Sequence, residues 1–179
     1  YKGIFTTLSS CASRQLEEVT FRRATISVPE LMATAGKYFR KVYKGNKAHI
    51  DFKIQLLEGR ITGDWNQLRF LLENLIDEAC SVTLDGAVCL SAREDGEFIR
   101  FLFTDMRREK TREELNQLFY PDLSRMTAGE KGELYGTEYL VCKQIIRDHD
   151  EFAGRRGCRI NAEPGKEGGF TIYFTLPKK

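Results

Sequence analysis

The stretch DWNQLRFLLENLIDEACSVT, residues 64–83, constrains the fold more than any other, because it specifies one helix with polar groups set beside a buried face. Asp64 follows Gly63 and has Gln67 three residues on, the capping-box spacing that satisfies orphan amides of a first turn. Leu68, Leu71, Leu72, Leu75, Ile76 and Ala79 recur at alternating steps of three and one. At 3.6 residues per turn they form a single apolar stripe that must enter a core. Asn74 and Glu78, one turn apart, border that stripe, while Glu73 and Asp77 fall further round toward water. A border position has two readings, an ordinary flank of an amphipathic helix or a polar group looking into a pocket.

A chain of 179 residues can hold one domain with a substantial core plus an appendage. Apolar residues at 41% and charged residues at 30% describe a globular protein. No apolar run approaches the roughly 18 residues that cross a bilayer, and YKGIFTTLSSCASRQ lacks the parts of a secretory signal. Five cysteines at unpatterned spacings, three of them inside apolar patterns, suit reduced packing thiols and a cytoplasmic location. His49 and His149 have no second His or Cys at metal-ligand spacing, which argues against zinc, and His49 reads as a surface residue. A net charge of +2 does not by itself imply nucleic acid.

Tyr1, Phe5, Leu8, Ala12, Gln15 and Val19 follow a four-three spacing, the seam of a helix that packs against another. The segment reads either as the end of a longer dimerisation-type helix or as a terminal helix docked on its own domain. Residues 21–27 favour an extended segment, and Ser27 with Pro29 starts a helix. Residues 49–56 alternate as a half-buried strand, which Ile61 and Thr62 extend beyond a Glu58-Gly59 turn. Val88, Leu90 and Ala92 form the next strand, and FIRFLFTD, residues 98–105, its antiparallel neighbour. Asp105 shares the parity of Ile99, Phe101 and Phe103, so an acid sits on the core side, as a turn-former or as a deliberate hydrogen-bond acceptor. Thr111 with Glu114 caps a short charged helix, a long loop runs to Tyr135, a helix resumes at Tyr139, and residues 158–177 make a final hairpin.

LLENLIDEACSVT, IRFLFTD, ELNQLFYPDL and above all KQIIRDHDEFAGRRGCRINAEPGKEGGFTIYFTLP resemble the ATP-binding catalytic domain of sensor histidine kinases, kin to gyrase-type ATPases. The resemblance covers residues 26–177 and implies an α/β (α+β) fold of the Bergerat type, a two-layer sandwich of a mixed, mostly antiparallel sheet covered on one face by helices. It divides the chain into residues 1–24, the end of a dimerisation-type helix and linker, and residues 25–179, the ATPase-like domain. It places Asp105 where an acid accepts a hydrogen bond from the adenine amino group, with the Thr171 hydroxyl near that acid. Glu78 falls where kinases carry the Asn that holds Mg²⁺, and Asn74 where related ATPases place a general base. The family's D-x-G-x-G glycines have become Arg107 and Glu109, and of its second glycine box Gly136 remains. Bare backbone that would approach the base and ribose is thereby lost.

Three functions follow as expectations. The first is a pseudokinase or interaction module whose nucleotide motifs are degenerate, with ATP and Mg²⁺ either kept or lost. The second is an active protein-histidine kinase domain in which Arg107 or Arg108 meets phosphate directly. The third is a nucleic-acid-binding module using Arg107, Arg108, Lys110, Arg112 and Arg155, Arg156, Arg159, disfavoured because acids interleave the first group. The partners implied are a second copy through the N-terminal helix and a response regulator or other signalling protein, with no nucleic acid and no membrane segment in this chain.

Overall fold

The computed structural model describes residues 20–120 and 137–179. The seam from Tyr1 to Val19, and Gly136, lie outside the described residues. The strands are β1 (Ala24–Ser27), β2 (Ile50–Gln55), β3 (Arg60–Gly63), β4 (Gly86–Asp95), β5 (Phe98–Asp105), β6 (Ile160–Pro164) and β7 (Phe170–Pro177). The helices are α1 (Val28–Val42), α2 (Trp65–Cys80), α3 (Arg112–Phe119) and α4 (Thr137–Phe152). Five strands form one sheet in the order β2-β4-β5-β7-β6, in which only β2 and β4 run parallel. The expected mixed, mostly antiparallel sheet with a helical layer is present.

Local chemistry accounts for the element boundaries. The Ser27 side chain accepts from the Glu30 N–H and Pro29 sits in the first turn, so α1 starts where an orphan donor is satisfied and a proline costs nothing. Asp64 caps α2 through the Gln67 N–H at 3.1 Å, and Thr111 with Glu114 forms a complete capping box on α3. The α2 stripe is buried throughout and shares one apolar core with β5 and β7 residues such as Phe101 and Phe174, whose rings stack 5.0 Å apart.

Two expectations are corrected. Ile61 and Thr62 do not extend β2; they belong to β3, which pairs antiparallel with β1 as a separate two-stranded sheet. With β2 ending at Gln55, Ile61 is free to face the core, where it is fully buried. Asp77 does not face water: it accepts hydrogen bonds from the Tyr38 hydroxyl at 2.7 Å and the Tyr43 hydroxyl at 2.6 Å, which pins the end of α1 to α2. Burial, then those bonds to a carboxylate, push both phenols far above their ordinary range.

Candidate functional site

Asp105 ends β5 on the core side, 1% exposed, between the C-terminal half of α2 and the first residues of β7. A carboxylate that deep must be paired or neutralised. It is paired by the residues that follow it. The Arg107 backbone N–H and Nε both donate to Asp105 Oδ1 at 2.9 Å, and Arg107 Nη2 donates to Oδ2 at 2.8 Å. The same guanidinium donates to the carbonyl oxygens of Ala79 at 2.6 Å, Leu84 at 2.9 Å and Val82 at 3.3 Å. These five side-chain bonds match the five N–H groups a guanidinium carries. Ala79 lies in the last turn of α2, whose end carbonyls lack helical partners, so the cation also complements the negative end of the helix dipole.

The Arg107 side chain is therefore inside the protein, 1% exposed. Its stem passes over Gly86, where an added Cβ would meet Arg107 Cγ at 2.7 Å. Gly86 has φ 137°, a conformation that side chains other than hydrogen disfavour. Gly86→Ala is expected to cost about 2 kcal/mol, from backbone strain and displacement of the Arg107 stem, readable as a lowered urea midpoint.

Arg108 extends the network outward. Its Nε donates to Asp105 Oδ2 at 2.9 Å, and its Nη1 and Nη2 form a fork on both Glu78 oxygens at 3.2 and 3.0 Å. Its guanidinium lies 5.3 Å from the centroid of the Phe170 ring, as does the Lys110 ammonium. Glu109 accepts from the Gly169 N–H at 2.8 Å, which fastens the segment after Asp105 to the start of β7. Arg107 and Glu109, which the resemblance sets at glycine positions, thus each make a contact that closes this corner.

Burial alone would push the Asp105 carboxyl up. The hydrogen bonds from Arg107 and the charges of both arginines outweigh it and hold the group below its ordinary range. Burial would likewise pull Arg108 down, and Glu78 followed by Asp105 more than reverses that.

The other expected site residues are distributed as follows. Asn74 is 7% exposed, and its Nδ2 has no hydrogen-bond partner among the described residues. Glu78 is half-buried and committed to Arg108. Tyr139, which sequence reasoning did not single out, stands near Glu78; burial and that carboxylate push its phenol well above the ordinary range, although its hydroxyl reaches no partner at hydrogen-bonding geometry among the described residues. Thr171 is not beside Asp105. The register pairs Thr171 with Thr104 and Asp105 with Phe170, so alternation turns the Thr171 hydroxyl to the opposite face, where it bonds Thr104 at 2.8 Å. The aromatic ring of Phe170, not a hydroxyl, occupies the position across from the acid.

The expectation that Arg107 or Arg108 meets phosphate directly does not hold in this geometry, since both are spent on Asp105, Glu78 and backbone carbonyls. For the same reason they do not contribute to a basic patch, while Arg155 pairs with Glu97 and Arg156 with Asp150. Among the described residues no group of three or more His, Cys, Asp or Glu could hold a metal ion.

Comparison with known proteins agrees with this architecture. The chain is 29% identical over 137 residues to the adaptive-response sensory kinase SasA of Thermosynechococcus vestitus, covering 75% of this chain and 34% of that protein. It thus spans about a third of that relative's length. Full-length ShkA in complex with AMPPNP superposes with a TM-score of 0.73 at 16% identity, covering 98% of this chain and 35% of that one. Histidine kinase ThkA in complex with the response regulator TrrA gives 0.69 at 17% identity, covering 99% and 49%. At such identities the structural likeness carries the fold alone. Residues 63–179 match the family described as histidine kinase-, DNA gyrase B-, and HSP90-like ATPases, and the chain belongs to that family.

Proposed function

We propose that this histidine-kinase-like ATPase domain of a two-component signalling protein has given up nucleotide and works as a pseudokinase, an interaction module that relays signals by packing. One observation carries the reading: the Arg107 guanidinium fills the space beside Asp105 and presents to it the N–H donors that an adenine amino group would supply. A nucleobase and this side chain cannot both hold the carboxylate. Expelling the arginine side chain would leave the buried Asp105 with only Arg108 and one backbone N–H, and would strand three backbone carbonyls. Mg²⁺ fares no better, because Glu78 is neutralised by Arg108, and the residues present do not fit ATP with its metal. The ShkA neighbour, by contrast, was solved with a nucleotide analogue.

In the whole protein the partners we propose are a second copy, through the N-terminal helix, and a response regulator or other signalling protein. The ThkA neighbour contacts such a regulator. No helix of the described residues is long and apolar enough to cross a membrane, and we place the domain in the cytoplasm. The test is calorimetric titration of the purified domain with ATP and Mg²⁺. No binding is expected into the millimolar range; micromolar affinity that disappears in Asp105→Asn overturns the proposal.

A further inference from the structure

The end of α1 concentrates charge in a way the nucleotide corner does not use. Lys37, Arg40, Lys41, Lys44 and Lys47 fall within residues 31–50, a stretch without a single acid, in a chain whose net charge is only +2. All five are exposed, and none makes an ion pair among the described residues. Arg40 and Lys41 lie in the last turn of α1, where cations complement the helix dipole, but Lys37, Lys44 and Lys47 have no such local reason.

Beside this cluster, α1 and α2 leave a groove of about 180 Å³. Its floor is apolar, made by Leu31, Ala35 and Leu72 with the Tyr38 ring. Its rim is polar, with Lys37 and Lys41 on one side and Arg69 on the other, the last paired to Glu73. At about 30 Å³ per water the volume equals roughly six waters, room for one large apolar side chain. An apolar socket ringed by cations matches the anatomy of a hot spot with an electrostatic collar.

We infer that the α1–α2 groove docks an acidic amphipathic helix of a partner protein, with one apolar anchor seated over Leu31, Ala35 and Leu72 and its carboxylates facing Lys37 and Lys41. The helix-in-groove mode supplies this geometry, since residues three and four apart place an anchor and its flanking acids on one face. A nucleic acid is a poorer occupant because Glu73 stands on the rim and the ring in the floor, Tyr38, is half-buried with its hydroxyl committed to Asp77. A lipid surface is poorer too, because the apolar area is recessed between helices instead of protruding. The inference is independent of whether nucleotide binds.

The experiment titrates the full chain with a labelled peptide of leucine and glutamate patterned as an amphipathic helix, followed by fluorescence anisotropy. Saturable binding is expected, weakening as salt rises. Lys37→Glu with Lys41→Glu should weaken it at least about tenfold, and so should Thr34→Trp, which covers the groove without changing charge. The exposed pair Lys166→Glu with Lys179→Glu, away from the groove, should leave it unchanged. Circular dichroism checks that each variant is folded. The inference is overturned by absence of saturable binding, by equal binding of a peptide with its leucines replaced by serine, by groove variants that bind as the parent does, or by tighter binding to duplex DNA or anionic vesicles than to the peptide.

Discussion

Replacing Arg107 by alanine should destabilise the domain by about 3 kcal/mol, a large fraction of what holds a domain of this size together. The variant leaves Asp105 buried with a reduced set of partners, the Arg107 backbone N–H and Arg108, and leaves the carbonyls of Ala79, Val82 and Leu84 without their donor. Those surviving partners keep the expected loss near the lower end of what breaking a buried pair costs. Arg107→Met retains most of the stem over Gly86 and removes only the donors, so it separates packing from charge. Both variants should fall together in urea denaturation. If Arg107→Met matches the parent, the guanidinium is not what closes this corner. A double-mutant cycle with Asp105→Leu adds a second check: the two losses should be strongly non-additive, because removing both charges leaves neither stranded.

The same network fixes the acid limit of the fold. A carboxyl held below its ordinary range binds its proton less readily in the folded than in the unfolded state. Its contribution is therefore complete above the unfolded value, taken as 3.8, and is lost as pH falls through the lower folded value. In Arg107→Met the folded value rises toward the unfolded one, so this carboxyl should contribute less pH-dependent stability than in the parent. Urea midpoints followed by tryptophan fluorescence as pH is lowered through the carboxylate range should fall less steeply in the variant.

How much of this was legible in the sequence depends on the range of the interaction. The α2 stripe, the caps at Ser27, Asp64 and Thr111, and the core-side parity of Asp105 follow from spacings of a few residues, and the structure keeps all of them. That Arg107 and Glu109 stand where the resemblance expects glycines was equally visible. Sequence reasoning missed where the arginine goes, because its partners at 79, 82 and 84 are main-chain carbonyls that no residue type advertises. Gly86 was the available sign, a residue with no side chain where a long one has to pass. Thr171 failed through a one-residue shift in register, which in a strand turns a side chain to the other face. Asp77 failed because helical periodicity ranks positions around one axis and is blind to tyrosines from a second helix.

A second large loss, again about 3 kcal/mol, is expected for His149→Ala, and its cause is a hydrogen bond across three parts of the chain. His149 on α4 is 0% exposed. Its Nδ1 lies 2.8 Å from the Ile145 carbonyl oxygen and its Nε2 accepts from the Asp64 N–H at 3.0 Å, which together assign the proton to Nδ1. Asp64 is the cap of α2, and its second carboxylate oxygen accepts from the Arg22 N–H at 2.9 Å. Phe21 meets the imidazole edge-on at 4.8 Å and packs on Phe152 at 5.8 Å. The imidazole thus ties α4 to the start of α2, and through it to the residues leading in from the N-terminal segment. Gly63 permits the approach, since an added Cβ there would stand 2.9 Å from Nε2. Alanine would remove the ring and strand a buried N–H; phenylalanine would keep the ring under Phe21 and strand the same N–H; glutamine could return an acceptor. Stabilities from urea denaturation should therefore rank parent, then glutamine, then phenylalanine, then alanine. The Arg22 amide should exchange with deuterium faster in the same order, and a phenylalanine variant as stable as the parent would reduce His149 to a space-filler.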